Sequence, residues 1–207
     1  MQLEDNIKEN AMRAILAAAL ISCSSVVNAA TVSIDFDDLG SGVTIGSTYS
    51  GQGVTFVDAY TIPAISGAAG TAIYHAQTGY RTDPSDPIGA VFSTGVSSVS
   101  VTGYDVGVNG FQLLAFDAGD SLIDSSQIIG VDVGTSGAPT DTTTLTVTGL
   151  IHRVEFSQVQ DIAGDGILFD NFVFEETAVI PLPASAILLL TGVGGLGFMA
   201  RRRARTA

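Results

Sequence analysis

The chain has 207 residues, a formal net charge of −13 at pH 7 and a single cysteine. Between Thr31 and Glu176 it carries eighteen acidic residues against two basic ones, Arg81 and Arg153, and no lysine. Such an acidic surface repels phosphate backbones, so we exclude nucleic-acid binding. The central segment of about 145 residues is long enough for one well-buried domain, and its abundant Gly, Ser and Thr are typical of an extracellular β-protein.

The N-terminal segment 1–29 has the features of a secretion signal peptide. An apolar run, Ala14–Ile21, follows Arg13, whereas the residues before Met12 are polar and net acidic. Met12 is therefore an alternative translation start that gives a better signal sequence than Met1. The small residues of Val27-Asn28-Ala29 predict cleavage directly after this segment.

A lipoprotein signal is the alternative at this end of the chain. Leu20-Ile21-Ser22-Cys23 fits a lipobox, in which Cys23 becomes the lipidated N-terminus. We favour ordinary cleavage, because a second membrane anchor is predicted at the C-terminus and two anchors are redundant. Ordinary cleavage leaves a mature protein without cysteine, and therefore without disulfides or thiol chemistry.

From Thr31 onward, apolar and polar residues alternate with a period of two, which predicts β-strands. No window supports an amphipathic helix, and no internal repeat is visible. The pattern predicts an all-β domain over residues 30–176, with the fold of an antiparallel jelly-roll-like β-sandwich. Strands are predicted near 31–37, 43–46, 53–58, 71–75, 90–93, 97–105, 110–117, 121–129, 143–149, 151–156 and 166–175, with loops at 59–70, 76–89 and 130–142.

Acidic residues lie at both ends of the predicted domain. Asp35 and Asp37 belong to the first strand and its turn, and Asp170 lies in the last strand. The two chain ends of a jelly-roll sandwich often lie side by side, and carboxylates that converge there with backbone carbonyls suit Ca²⁺. We therefore predict a structural calcium site at Asp35, Asp37 and Asp170. The alternative is that these carboxylates only face solvent.

One segment of the domain combines aromatic, imidazole and guanidinium groups. Tyr74, Tyr80 and Arg81 lie beside His75 and before the double turn Asp83-Pro84-Ser85-Asp86-Pro87. Aromatic faces stack on sugar rings and arginine hydrogen-bonds hydroxyl groups, so Tyr74, Tyr80 and Arg81 are candidate ligand-binding residues for a glycan. The alternative is an ordinary surface loop with partly buried tyrosines.

Signatures of catalysis are sparse, so we predict a protein that is not an enzyme and has no catalytic residues. The sequence contains no GxSxG, HExxH or CxxC motif. Asp117, Asp120 and Asp124 can be paired as glycosidase carboxylates, but in so acidic a chain such a pair also arises by chance. A membrane-tethered polysaccharide hydrolase is the alternative, and it requires two carboxylates about 5–10 Å apart across a groove.

The last thirty residues contain three parts in a fixed order. Pro181 and Pro183, in the linker 177–183, prevent a helix from beginning earlier. Residues 184–200 carry no charge, and as a helix they extend roughly 26 Å, slightly short of a ~30 Å hydrocarbon core. We predict a transmembrane helix there, with the segment 201–207 in the cytoplasm because it is rich in arginine. These arginines are Arg201, Arg202, Arg203 and Arg205.

This tail resembles the PEP-CTERM family of bacterial sorting signals. Ile180-Pro181-Leu182-Pro183-Ala184 is similar to the VPLPA variant, with Ile in place of Val. The resemblance implies cleavage near the Pro motif by an exosortase, a membrane-embedded cysteine protease/transpeptidase. It also implies a setting of exopolysaccharide production, in which the protein is held transiently in the inner membrane and then reaches the cell surface or the extracellular matrix. An ordinary membrane anchor with a proline-bearing stalk is the alternative.

The body of the chain resembles the carbohydrate-binding-module-like sandwiches of exported bacterial proteins. The resemblance lies in FDDL at 36–39, Tyr49 and Gly53-Val54-Thr55-Phe56 near the start, and in FDNFVF at 169–174 near the end. It implies that an acidic residue near each terminus ligates a structural calcium. We expect an exported surface or matrix protein that binds exopolysaccharide; a structural or adhesion protein without a ligand is a further alternative.

Overall fold

The computed structural model describes residues 29–63, 69–79, 81–129, 142–160 and 166–177. Within these ranges the regular structure is β-strand, apart from a 3₁₀ turn at Ser50–Gln52. No helix in this part of the chain is long and apolar enough to cross a membrane. Tyr80, the sorting motif, the tail helix, its arginines and the signal peptide up to Asn28 lie outside the described residues, and their predictions stay predictions.

Nine strands are described, and all of their pairings are antiparallel. The all-β antiparallel prediction is therefore confirmed for the described ranges. The strands are β1 Thr31–Ile34, β2 Val54–Val57, β3 Ala59–Pro63, β4 Thr71–His75, β5 Ile88–Tyr104, β6 Phe111–Phe116, β7 Leu122–Ile128, β8 Thr143–Ser157 and β9 Leu168–Glu176.

The strands form one continuous sheet rather than the two separate sheets of a simple sandwich. Their order is β3-β4-β9-β5-β8-β6-β7, with β1 beside β9 and β2 beside β5. The first part of β5 pairs with β2 and the last part with β9, and its register on β8 shifts between Val91 and Val96. Phe56 on β2 and Phe172 on β9 nevertheless meet, with ring centroids 5.0 Å apart. The sheet therefore folds over so that its two halves enclose one core.

The core is built from the inward residues of the period-two pattern. Val99, Val147 and Phe156 are each 0% exposed. Around Phe172, the rings of four other phenylalanines have centroids between 5.0 and 6.2 Å away. Burying one such ring contributes about 1.5–3 kcal/mol, so this cluster is a substantial apolar contact within the core.

Several predicted strand boundaries are wrong. The first strand ends at Ile34, because Phe36 adopts a φ of 58° that breaks the extended chain. The predicted strand 43–46 contributes only an isolated bridge between Thr44 and Tyr60. The predicted strands 90–93 and 97–105 are both parts of β5, and 143–149 and 151–156 are both parts of β8.

The predicted loop 59–70 is wrong over Ala59–Pro63, which forms β3. Its buried positions are Ala59 and Thr61, each 1% exposed. A small residue and a polar one at the inward positions conceal the alternation that identifies a strand. The predicted loop 76–89 extends two residues too far, because β5 begins at Ile88.

Candidate functional site

The pairing of β1 with β9 brings the two ends of the domain together. Ile34 lies opposite Phe172, so Asp35 and Asp37 follow β1 close to Asp170 on β9. Asp170 is 4% exposed, and its Oδ1 accepts a hydrogen bond of 2.6 Å from the Asn171 N–H. Burial raises the pKa of Asp170 to about 6; this hydrogen bond opposes the rise, and the charges of Asp37 and Asp35 add to it.

The three carboxylates interact, but they do not form a compact cation cage. Asp37 Oδ1 accepts a hydrogen bond of 2.6 Å from the Thr71 N–H, and Asp35 Oδ1 accepts one of 3.2 Å from the Asp37 N–H. Calcium binding requires these side chains to reorient, and the calcium site stays a prediction. In the described ranges, one group of three acidic or imidazole side chains has ligand atoms that all lie within 4.8 Å of one another. It consists of Asp58, His75 and Asp86.

Three aromatic residues that belong to the module-like resemblance near the start, Phe36, Tyr49 and Phe56, pack as one buried cluster. The Tyr49 ring meets Phe36 edge to face, with centroids 5.8 Å apart, and its hydroxyl donates a hydrogen bond of 2.5 Å to Asp38 Oδ1. Phe56 meets both rings in the same manner. Burial first, and then this hydrogen bond, raises the pKa of Tyr49 well above its usual value. The three rings stabilise the fold and are not an exposed binding surface.

The predicted glycan site contains a pair of tyrosines. Tyr74 on β4 lies directly opposite Tyr60 on β3, and the two rings meet edge to face, with centroids 5.6 Å apart and an interplanar angle of 88°. Both side chains are half-buried, and Arg81 is exposed. We call Tyr60 and Tyr74 the tyrosine pair. Sequence reasoning missed Tyr60 because it interpreted residues 59–70 as a loop.

His75 follows Tyr74 and, by the alternation of a strand, points to the other face of β4. It is 0% exposed. Its Nδ1 lies 2.8 Å from Thr78 Oγ1, and its Nε2 lies 3.6 Å from Asp86 Oδ2. Nε2 has no hydrogen-bond partner among the described residues. A buried imidazole thus meets the carboxylates of Asp58 and Asp86 behind the tyrosine pair.

Part of this group could be recognised from the sequence. His75 and Asp86 both belong to the segment that its aromatic and charged residues single out, but Asp58 lies some distance before it, between β2 and β3. No diagnostic spacing links Asp58 to this segment, and the pairing of β3 with β4 brings them together.

A separate open groove, with a volume of about 520 Å³, lies beside the turn between β6 and β7. Its lining contains one carboxylate, Asp117, whose Oδ1 accepts hydrogen bonds from the N–H groups of Gly119 and Ser121. The groove therefore lacks the carboxylate pair that the hydrolase alternative requires. The other lining residues include Ile123, Thr148, Leu150 and His152.

The neighbouring carboxylates also make structural contacts. Asp120 Oδ1 accepts a hydrogen bond of 3.0 Å from Arg153 Nε. Asp124 Oδ2 accepts one of 2.8 Å from the Thr148 N–H. Each of the three carboxylates considered for glycosidase chemistry is thus engaged in holding a turn or a strand.

No family model matches the sequence, and no curated protein matches it. The fold is similar to several solved structures. The K2 cleaved adhesin domain of the Lys-gingipain of Porphyromonas gingivalis shares 13% identity over 70% of this chain and 99% of its own, with a TM-score of 0.45. The C-terminal CBM6 of the LamC laminarinase from Zobellia galactanivorans shares 9% identity over 71% of this chain and 100% of its own, with a TM-score of 0.38.

A family 35 carbohydrate-binding module from Clostridium thermocellum is similar at the same level. It shares 11% identity over 72% of this chain and 100% of its own, with a TM-score of 0.38. Similarity at this level does not assign a ligand to this chain, whose function must follow from its own residues.

Proposed function

We propose that the chain is an exported, non-enzymatic surface or matrix protein, sorted by an exosortase through its C-terminal signal, whose β-domain binds polysaccharide. The order of sorting motif, apolar segment and arginine cluster in the sequence supports the sorting. One observation carries the binding: Tyr60 and Tyr74 form a half-exposed edge-to-face pair on neighbouring strands.

The tyrosine pair has the properties that sugar binding needs. A tyrosine ring offers an apolar face to the C–H groups of a sugar, and its hydroxyl offers a donor and an acceptor to the sugar hydroxyls. Because Tyr60 and Tyr74 are held against each other on a sheet, little side-chain entropy is lost when a ligand binds. The ligand class follows from charge: a chain of net charge −13 repels polyanions, which favours a neutral or amine-bearing polysaccharide.

The test is binding of the purified protein to glycan arrays and to exopolysaccharide from its host. Tyr60→Ala and Tyr74→Ala are each expected to weaken binding about tenfold, since truncating a central aromatic contact typically costs more than 1 kcal/mol. Leu150→Ser is the matched control, because Leu150 is 59% exposed and lines the groove instead. Unchanged binding by both tyrosine variants contradicts the proposal, and a loss confined to Leu150→Ser moves the site to the groove.

A protein-binding adhesion role is the second candidate. Leu122, Ile123 and Leu150 are 56%, 41% and 59% exposed, and two of them line the groove. Exposed aliphatic side chains grouped in this way are typical of protein contacts. An array on which the wild-type protein binds no glycan, together with binding to a surface protein that Leu150→Ser abolishes, favours this role.

A further inference from the structure

Three segments of the chain converge at one corner of the sheet. Asp58 joins β2 to β3, His75 ends β4, and Asp86 lies two residues before β5. Two ladders fix their positions, because Ala59 pairs with His75 in one and Val57 pairs with Gly89 in the other. The Ala76 N–H also donates a hydrogen bond of 2.7 Å to the Asp58 carbonyl. The convergence is therefore set by the backbone and not by chance approach of side chains.

The imidazole is buried without a partner for one of its nitrogens. His75 is 0% exposed, and its Nε2 makes no hydrogen bond within the part of the chain that the structure describes. Asp86 Oδ2 lies 3.6 Å from Nε2, a distance too long for a hydrogen bond. An unpaired buried nitrogen costs free energy, so this atom needs a partner that the described residues do not supply.

The spacing of the three side chains fits a small divalent cation. Their ligand atoms all lie within 4.8 Å of one another. Two ligands of a tetrahedral zinc ion, each about 2.1 Å from the metal, lie roughly 3.4 Å apart, close to the 3.6 Å between His75 Nε2 and Asp86 Oδ2. One imidazole and two carboxylates also match the ligand preference of Zn²⁺, and the two negative charges balance the cation.

We propose that Asp58, His75 and Asp86 bind a first-row divalent metal, Zn²⁺ above all, through His75 Nε2 and one oxygen of each carboxylate. This proposal is independent of the polysaccharide binding. The Asp86 side chain is 49% exposed, so solvent supplies water for the fourth ligand position. The metal links the loop before β5 to the corner of β2, β3 and β4, behind the tyrosine pair.

Metal binding at Nε2 requires that Nδ1 carries the ring proton. Thr78 Oγ1, 2.8 Å from Nδ1, accepts this proton, because the hydrogen of its own hydroxyl is donated to the Arg81 carbonyl. Such a contact on the second ring nitrogen orients metal-binding histidines. The N–H groups of Gln77 and Thr78 also point at Nδ1, from 3.3 and 3.2 Å, and favour the opposite tautomer in the absence of metal. Metal binding therefore moves the ring proton from Nε2 to Nδ1.

The experiment is zinc titration of the full-length protein after treatment with a chelator, by calorimetry and by metal analysis after dialysis. We expect one Zn²⁺ per chain, with Asp58→Asn and Asp86→Asn each lowering the affinity at least about tenfold. Both substitutions preserve side-chain size, which avoids the unfolding that truncation of the buried His75 risks. Glu175→Gln, which removes one exposed charge from β9, is the matched control and should bind as the wild type does.

A second pair of variants tests the proton acceptor. Thr78→Val should weaken zinc binding, and Thr78→Ser, which keeps the hydroxyl, should restore it. The visible absorption spectrum of the Co²⁺-loaded protein reports the coordination geometry, and Asp86→Asn should change it. The proposal is overturned if no Zn²⁺ stays bound after dialysis, or if Asp58→Asn and Asp86→Asn bind zinc as tightly as Glu175→Gln does.

Discussion

At the scale of single residues, Asp170 is a carboxylate turned into the core. Asn171 has a φ of 50°, and the register between β5 and β9 shifts opposite it, between Ser100 and Thr102. The resulting bulge places Asp170 inside, at 4% exposure. There, burial first and then the nearby carboxylates disfavour the ionised form and raise the pKa to about 6 from its ordinary 3.8.

This pKa makes the stability of the protein depend on pH. Between pH 3.8 and about 6 the folded state holds a proton on Asp170 that the unfolded state has lost. The stabilisation that the protonated Asp170 gives the folded state is complete below this window and disappears as the pH rises through about 6. One pKa unit corresponds to about 1.4 kcal/mol. Between pH 3.5 and pH 7.5, the free energy of unfolding of the wild type should therefore fall by about 3 kcal/mol relative to that of Asp170→Asn. Urea unfolding of both proteins in a chelator measures this difference.

If the free energies of unfolding of the two proteins change in parallel with pH, Asp170 has an ordinary pKa and this prediction is wrong. The same series with Ca²⁺ in place of the chelator tests the calcium prediction. Calcium at Asp35, Asp37 and Asp170 should stabilise the wild type at pH 7.5 and leave Asp170→Asn unchanged. Equal stabilisation of both proteins would place the calcium elsewhere.

At the scale of elements, β5 connects the two halves of the sheet, and Gly103 allows it to pass through the core. A Cβ at this position would lie 2.9 Å from Ile167 Cδ1, 3.0 Å from Phe111 Cδ1 and 3.3 Å from Val106 Cγ2. Gly103 pairs with β8 on one side and with β9 on the other. The strand therefore has no free side toward which it can shift to relieve such a contact.

We expect Gly103→Ala to destabilise the fold by about 1–3 kcal/mol through overpacking. Gly51→Ala is the matched control, since a Cβ there has no heavy atom within 4 Å. A substitution of that kind usually changes the free energy of unfolding by less than about 0.5 kcal/mol. Urea unfolding compares the two variants, and equal stabilities would contradict the packing around β5.

The elements also show what the sequence could and could not predict. The alternation around Leu113, in β6, and around Val154, in β8, marks strands whose inward residues are large and apolar, and it predicted them well. The β3 strand escaped because Ala59 and Thr61 occupy its inward positions. A bend within a strand, such as that of β8 at Gly149 with a φ of 136°, was interpreted as a boundary between two strands.

The candidate sites also contain residues that the sequence could indicate and residues that only strand pairing brings together. Tyr74 is a candidate from the sequence because its segment is unusual in composition, whereas Tyr60 lies beside it only through the register of β3 and β4. The proximity of Asp35 and Asp37 to Asp170 followed from a general property of sandwiches, the adjacency of chain ends. The strand pairing that brings Asp58 to His75 leaves no trace in the local sequence pattern.

At the scale of the whole molecule, the described strands fall within one unit, Ala29–Thr177. The predicted secretion signal and the predicted sorting signal lie on either side of it in the sequence. Its strongly acidic composition is compatible with the export that we propose. The proposed role therefore depends on whether both flanking segments are removed in the organism that makes the protein.

The most direct measurement is the intact mass of the protein recovered separately from cells and medium of its native host. We predict a chain that begins near Ala30 and ends near Pro183 or Ala184, because the signal peptidase and the exosortase each remove one end. A mass that retains Arg201 to Ala207 would contradict exosortase sorting and make the tail an ordinary membrane anchor. A diacylglycerol adduct on Cys23 would instead identify a lipoprotein.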